Sequence, residues 1–257
     1  MSRLRLPFDN HDTGELSTSM GKIFDIHFMI STIPQIGSKL PVTLWIAFLS
    51  GFIALILGFI IAMIRYFNVR VLSPLCKLFV SFMRGTPAMV QLLVAYYGVP
   101  ILLRGMNEGL GTRFSVNGIP AAAFAVLALS LNSGAFMSET IRGAMMAIDA
   151  GQLEACYSVN LSTGQALRRI ILPQAFTNAL PALGNSFISL LKETSLVFNI
   201  SVIEMMAQAK ITGSRSYRFF EVYIVVALIY WAVCFLMERI LAVVEEKVRR
   251  YERRAVK

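Results

Sequence analysis

Charged residues are scarce in this sequence. Asp, Glu, Lys and Arg make up 15% of the 257 residues, whereas hydrophobic residues make up 56%. A soluble domain of this length normally carries about 25% charge, so an ordinary soluble protein is excluded. Several uncharged runs reach the roughly 20 residues that a helix needs to cross a bilayer. They are continuously apolar rather than alternating, which excludes a β-barrel. The sequence therefore predicts an all-α membrane protein.

Histidine and cysteine are also rare. The chain has two histidines, His11 and His27, and its three cysteines, Cys76, Cys156 and Cys234, are far apart. Neither a metal-ligand spacing nor a disulfide framework can be argued from them. There is no Gly-x-x-x-x-Gly-Lys-Ser/Thr phosphate loop, and no residue set indicates catalysis. We expect no metal, no cofactor and no enzymatic activity in this chain itself.

Five transmembrane helices are predicted. They cover residues 42–64, residues 75–83 continued after a break at Pro87 by 88–103, and residues 120–137, 181–206 and 219–244. The stretches 104–118 and 208–218 are rich in glycine or polar residues and are predicted to be loops. Residues 23–36 are too interrupted to span and are predicted to form an amphipathic helix at the interface.

Five spans place the two ends of the chain on opposite sides of the membrane. Lys and Arg are in excess on the side that holds residues 142–173 and the C-terminus, which favours a cytoplasmic position for that side. The net charge of +9 is spread over loops and the C-terminal end. This distribution is typical of basic residues that orient a membrane protein in the bilayer, and not of a nucleic-acid-binding surface. We expect an extracytoplasmic or interfacial segment at 1–38, a membrane domain at 39–245 and a basic cytoplasmic tail at 246–257.

Residues 145–173 form a polar stretch between two spans. Ser162 and Gln165 fit a capping box, and Asn160 occupies a corner where asparagine accepts a positive φ at low cost. The helix that follows is expected to stop near Pro173. This pattern predicts a rigid helix–turn–helix elbow on the cytoplasmic face, and an ordinary amphipathic connector would have the same local features.

The elbow also resembles a known motif. Glu154-Ala155-Cys156, then Asn160, then residues 170–173 (Ile-Ile-Leu-Pro) are similar to the cytoplasmic "EAA" loop of ABC importer permeases. Cys156 stands where that motif has its second alanine, and Asn160 where it has glycine. Further matches in chain order resemble the polar-amino-acid branch of these permeases: residues 84–87 with Gln91, 132–135, 139–143, 172–175, 178–181 and 191–196. The resemblance covers about residues 36 to 245.

The resemblance implies a type I ABC importer permease (MetI-like) with five transmembrane helices, in a bacterial inner membrane. It implies separate ABC ATPase subunits that bind ATP and Mg, a second permease copy or homologue, and an extracytoplasmic substrate-binding protein. The substrate would be a polar amino acid. Cystine comes first because of the glycine-rich stretch 104–118, and arginine, histidine or glutamine remain open. The residues implied to couple to the ATPase are Glu154, Ala155, Asn160, Ser162, Gly164 and Gln165.

Polar groups inside the spans are costly and therefore mark a candidate substrate pathway. The candidates are Arg84, Gln91, Asn132, Ser133, Glu139, Lys192, Glu193, Thr194 and Ser195. Glu139 and Arg142 are three residues apart on a helix and can pair, and Arg84 is a further possible partner. Lys192 and Glu193 are neighbours and cannot share one helix face. These groups suit a zwitterionic substrate, and helix packing would account for each of them equally well.

Two other functional classes are open on the residues alone. A secondary amino-acid transporter driven by an ion gradient usually contains an internal repeat, whereas five spans do not divide into equal halves. A membrane anchor for a soluble complex would not need polar groups in the third and fourth spans.

Overall fold

The computed structural model describes residues 24–113 and 118–255, with side chains up to residue 248. These residues form helices and no strand. In chain order they are α1 (Ile26–Gly37), α2 (Leu40–Tyr66), α3 (Leu72–Gly85), α4 (Ala88–Leu110), α5 (Ala121–Met146), α6 (Ala150–Ser158), α7 (Thr163–Ala166), α8 (Leu172–Glu193), α9 (Met205–Ser216) and α10 (Phe219–Ala255). A π turn, Leu167–Ile171, joins α7 to α8, and a 3₁₀ helix, Thr194–Ile200, follows α8.

Four of these helices are long and apolar enough to cross a membrane alone: α2, α4, α5 and the part of α10 up to Val248. A fifth span is formed if the segments Thr163–Ile200 and Met205–Ser216, which meet at 52°, count as one broken crossing. On that count the prediction of five transmembrane helices is confirmed. The helix of the last span continues through the basic residues to Ala255.

Helix α5 lies at the centre of the bundle. Of its most apolar 18-residue stretch, 67% is buried inside the chain, against 11% for α4. Glycines let α2 approach it closely, because a Cβ on Gly58 would lie only 3.0 Å from the carbonyl oxygen of Gly134. Membrane helices gain their packing from such small residues, since lipid gives no hydrophobic drive for association. The bundle is therefore built around the α2–α5 contact.

The helix directions define two ends of the bundle. The elbow end holds the last residues of α2 and α5 and the first residues of α8. The distal end holds residues 38–40, residues 111–113 and 118–120, and the whole of α9 with the turn into α10. Helices α2, α5 and α8 each run from one end to the other, so features at the two ends are separated by about the thickness of a membrane.

Helix α1 packs at the distal end. The carboxyl of Asp25 caps it by accepting the backbone N–H of Phe28, and Asp25 also pairs with Arg218 at the start of α10. These two interactions hold the pKa of the Asp25 carboxyl below its usual value. Ile36 is buried with Met205 of α9. The predicted helix at 23–36 is thus confirmed from residue 26; residues 1–23 lie outside the described part of the chain.

The prediction of a polar loop at 208–218 was wrong for most of its length. Residues Met205–Ser216 form α9, which buries Met205, Ala209 and Thr212 against the bundle. The mean hydropathy of this stretch is low because its other face is polar, and composition alone therefore favoured a loop. The spacing of the buried residues is that of an amphipathic helix.

The predicted loop at 104–118 is shorter than expected. Helix α4 continues to Leu110 and ends at Gly111, which takes the left-handed conformation, φ 65°, that glycine adopts without steric cost. Glycines 105 and 109 therefore lie within the helix. Residues 114–117 lie outside the described part of the chain.

The predicted boundaries of the fourth span were wrong because they were placed at prolines. The elbow's second helix was expected to stop near Pro173, and the span to begin at Pro181. Pro173 instead lies in the first turn of α8, where a backbone N–H is not required, and Pro181 lies inside α8. The side-chain amide of Gln174 donates to the carbonyl of Ile170 at 3.1 Å, which satisfies a carbonyl next to the π turn. The elbow and the span are one continuous helical segment.

Candidate functional site

The first limb of the elbow is α6. Asp149 caps it by accepting the backbone N–H of Gly151 at 2.7 Å. The limb ends in a tight reversal at Asn160, whose φ is 60° as the sequence predicted. The N–H of Leu161 then donates to the carbonyl of Cys156 at 3.0 Å, a bond from the residue after the reversal back to the last helical turn. This is the usual way in which a left-handed residue closes a helix.

The second limb begins with the predicted capping box. The backbone N–H of Ser162 donates to Oε1 of Gln165 at 2.9 Å, and the N–H of Gln165 donates to Oγ of Ser162 at 3.4 Å. The hydroxyls of Tyr157 and Thr163 lie 3.3 Å apart and connect the two limbs. The corner is therefore fixed on both sides by local hydrogen bonds.

The elbow buries one face and exposes the other. Cys156 is 2% exposed and Ala166 is fully buried, so both anchor the elbow. Glu154, Ala155 and Gly164 are exposed, as are the predicted coupling residues Asn160, Ser162 and Gln165. A Cβ added at Gly164 would meet nothing within 4 Å among the described residues. The exposed motif residues thus form a surface that no other part of the described chain covers.

Glu139 lies at the centre of a charged cluster near the elbow end. It pairs with Arg142, Nη2 to Oε2 2.9 Å, as predicted from their spacing, and also with Arg65 at the end of α2. Arg84 is not a partner, which corrects that expectation: its guanidinium lies over the ring of Phe136, 5.5 Å from the centroid. Arg84 lies in the last turn of α3 and reaches Phe136, one turn before Glu139 on α5, whereas Arg65 arrives beside Glu139 because α2 packs along α5.

Gln91 and Asn132 form a buried amide network at the break between α3 and α4. Nε2 of Gln91 donates to the carbonyls of Met83 and Thr86, at 2.8 and 3.1 Å, and its Oε1 accepts from Nδ2 of Asn132 at 2.9 Å. Ser133 is buried beside Asn132 on α5. The network satisfies the carbonyls that the break before α4 leaves free, and it links that break to the central helix.

Residues 192–195 lie where α8 changes into the 3₁₀ helix. The hydroxyls of Thr194 and Ser195 donate to the carbonyls of Leu191 and Lys192, at 2.6 and 2.7 Å. Lys192 is exposed, while Glu193 is half-buried with one carboxylate oxygen that has no partner among the described residues. A buried charged oxygen without a partner is costly. Glu193 is therefore the member of this group whose carboxylate the described chain leaves incompletely satisfied.

The predicted pathway residues occupy three levels of the bundle. With a rise of about 1.5 Å per residue, Glu139 lies about 10 Å from the elbow end of α5 at Met146, and Asn132 about 20 Å from it. Glu193 lies about 30 Å along α8 from Leu172. Within one chain these groups do not form a single site.

Sequence reasoning missed two buried carboxylates, Glu204 and Glu221. Glu204 is fully buried, caps α9 by accepting the N–H of Ala207 at 2.8 Å, and accepts the hydroxyls of Thr43, 3.3 Å, and Tyr230, 3.1 Å. It therefore ties α9 to α2 and α10. The signal was available, because an ionisable residue inside a predicted span deserves a partner.

Comparison with known proteins settles the family. Residues 28–250 match the family described as "Binding-protein-dependent transport system inner membrane component". The chain belongs to this family. The permease is 45% identical over 209 residues to the probable amino-acid permease protein YxeN of Bacillus subtilis, covering 81% of the chain and 89% of that protein. It is 38% identical over 239 residues to the L-cystine transport system permease protein TcyL of the same organism, covering 92% and 97%.

A solved structure gives the same result. The permease matches a chain described as "Crystal structure of an amino acid ABC transporter with histidines" with a TM-score of 0.75 and 35% identity, covering 87% of this chain and 99% of that one. The fold is that of the type I, MetI-like importer permeases. The resemblance to ABC importer permeases and the predicted fold class are thus confirmed, and the protein is a multi-pass membrane subunit.

Proposed function

We propose that this permease is the membrane subunit of an ATP-driven importer for a polar amino acid, and that a separate ABC ATPase supplies the energy. The observation that carries the proposal is the elbow: a short, doubly capped segment whose six predicted coupling residues are all exposed and which continues without a loop into a membrane helix. Such a segment can receive a soluble partner and transmit its movement to the membrane. The names of the relatives support amino acids as the substrate class.

The elbow end would face the cytoplasm, where ATP is available, with the C-terminus on the same side and the N-terminus outside. The excess of Lys and Arg on that side supports this orientation. In the working complex, two permeases, either two copies or one copy and a homologue, would dock on two ATPases that bind ATP and Mg. Closure of the ATPases would bring the two elbows together and open the pathway outward. An extracytoplasmic binding protein would deliver the substrate.

Glu193 is the proposed contact for the substrate ammonium group. Its unpartnered oxygen lies about 30 Å from the elbow end of α8, beyond the Glu139 cluster and the Gln91–Asn132 network. The polar groups of the Glu139 cluster pair with one another, and so do those of the Gln91–Asn132 network, so the first role of each set is to hold the helices together. Cystine is the first substrate to test, with arginine, histidine and glutamine beside it, and the similarity to an L-cystine permease supports that order.

The substrate is identified by reconstituting the full complex in proteoliposomes with ATP inside the ATPase-facing compartment. Uptake of each radiolabelled amino acid is measured with and without ATP and with a proton ionophore. We expect ATP-dependent, ionophore-resistant uptake of one of the four amino acids. Ionophore-sensitive uptake without ATP would favour the secondary transporter, and a stable complex with no uptake would favour the membrane anchor.

Docking at the elbow is tested by Gly164→Trp. Gly164 is exposed and a Cβ there meets nothing within 4 Å among the described residues, so we expect folding to be retained, while the indole obstructs a partner that approaches the elbow closely. We expect loss of ATPase co-purification. Gly109→Trp is the matched control, since Gly109 is an equally open glycine on α4 at the distal end. Equal ATPase binding by both variants would contradict docking at the elbow.

A further inference from the structure

A cleft of about 570 Å³ opens at the distal end of the permease. One wall is the end of the 3₁₀ helix and the turn after it, and the other wall is α9. Its lining includes three apolar and three polar or basic side chains: Phe198, Ile203, Ile211, Lys210, Ser214 and Arg215. The cleft lies at the opposite end from the elbow, so the proposed ATPase cannot occupy it.

Helix α9 has two unlike faces, and the cleft uses the polar one. Met205, Ala209 and Gly213 are buried against the bundle, and Glu204 fixes the first turn of the helix through Thr43 and Tyr230. Lys210, Ser214 and Arg215 lie on the other face and are exposed. The helix is therefore held rigidly while the described residues leave its basic face uncovered, which is the arrangement expected of a preformed contact surface.

The two cations of the cleft have no carboxylate partner among the described residues. The Lys210 ammonium lies over the ring of Phe198, 4.5 Å from the centroid, and the ion pairs of the described chain involve neither Lys210 nor Arg215. Arg218, a few residues on, is by contrast neutralised by Asp25. The cleft is thus lined by two positive charges and by exposed apolar groups such as Ile203, and its complement is a surface that carries carboxylates.

We propose that acidic side chains of the extracytoplasmic binding protein dock in this cleft, with Lys210 and Arg215 as their partners. The inference rests on the proposed function, in which such a protein delivers the substrate at the distal end. The family description itself names binding-protein dependence. A second permease copy fits the cleft less well, because a two-fold symmetric contact at this surface would bring Lys210 and Arg215 of one copy close to the same cations of the other. A lipid headgroup is also poorer, since anionic lipid is concentrated on the cytoplasmic leaflet.

The test uses the assembled transporter in nanodiscs. The binding protein is identified by function, as the soluble protein that, with amino acid present, stimulates ATP hydrolysis by the complex. Its half-saturating concentration is then measured for wild type and for Lys210→Glu, Arg215→Glu and the double variant, each relative to its own basal rate. We expect an increase of about tenfold for each reversed charge, and an affinity of the wild type that falls as salt is raised.

The matched control is Arg113→Glu, which reverses an exposed charge at the same end outside the cleft. An equal effect of Arg113→Glu would replace specific docking by general electrostatic attraction and overturn the proposal. Two further results would overturn the proposal. In the first, the cleft variants change the half-saturating concentration in phosphatidylglycerol nanodiscs but not in phosphatidylcholine nanodiscs. In the second, free amino acid stimulates ATP hydrolysis without the binding protein, and the cleft variants abolish that stimulation. If no soluble protein stimulates the complex, the proposed function itself fails; stimulation with unchanged half-saturation in the cleft variants refutes the docking alone.

Discussion

Asn160 offers the sharpest test of the elbow, because its backbone conformation and its side chain can be separated. The residue has φ 60°, its N–H donates to the carbonyl of Tyr157 at 2.9 Å, and its exposed side chain forms no described hydrogen bond. Asn160→Gly therefore removes no contact and keeps the left-handed conformation. Asn160→Val keeps a side chain but forces a β-branched residue into a conformation that it rarely adopts.

The two substitutions are expected to differ in magnitude. Glycine costs less than about 1 kcal/mol, through the greater freedom of the opened chain. Valine at positive φ costs about 2 kcal/mol. The difference of about 1 kcal/mol or more means that the elbow of the valine variant is open at least about five times as often as that of the glycine variant.

Hydrogen exchange measures how often the elbow opens, and the amount of substrate transported per ATP hydrolysed measures the effect of that opening on coupling. The amide of Leu161, which donates to Cys156 across the corner, reports opening of the elbow. We expect its exchange to be at least about fivefold faster in Asn160→Val than in Asn160→Gly, with transport per ATP hydrolysed lower in the valine variant only. Equal exchange and equal coupling in the two variants would refute the argument that the left-handed corner holds the elbow in shape.

Three further predictions follow from packing and from the buried carboxylates. Gly58→Ala should destabilise the detergent-purified protein by about 1–3 kcal/mol, because the new methyl group meets the Gly134 backbone. Gly143→Ala, at an open helical position, should stabilise the protein by about 0.5–1 kcal/mol. Melting temperatures that shift in the same direction in both variants would contradict this. Glu204→Ala should cost about 3 kcal/mol in unfolding free energy and Glu204→Gln clearly less, since the amide keeps an acceptor for Tyr230; equal losses would show that the network is not the cause. Glu193→Gln should lower uptake at least about tenfold while the complex still assembles, and equal loss of uptake and assembly would assign Glu193 to packing.

Local rules predicted the elbow well. The capping box at Ser162, the positive φ of Asn160 and the pairing of Glu139 with Arg142 each depend on residues within four positions of one another, and the structure contains all three. Hydropathy also located the spans, because the bilayer requires long apolar runs wherever they occur in a sequence.

Predictions that depended on tertiary context were the ones that failed. Proline was taken as a stop at Pro173 and a start at Pro181, yet both lie in one continuous helical segment, Pro173 in the first turn of α8 and Pro181 inside it, and helices inside a membrane bundle tolerate such prolines. The pairing of Arg65 with Glu139 joins residues 74 positions apart and had no local signal. Helix α9 was read as a loop because its polarity was averaged over both faces, whereas only the buried face decides whether it folds.

The continuity between the elbow and α8 has a mechanical consequence. Since no flexible linker separates the corner at Ser162 from the carboxylate of Glu193, a rotation imposed on the elbow is not absorbed locally. Over a lever of about 30 Å, a tilt of about 10° would carry Glu193 sideways by about 5 Å, which is the scale of one side chain entering or leaving a contact. The helix thereby converts a small turn at one membrane surface into a change of ligand geometry near the other.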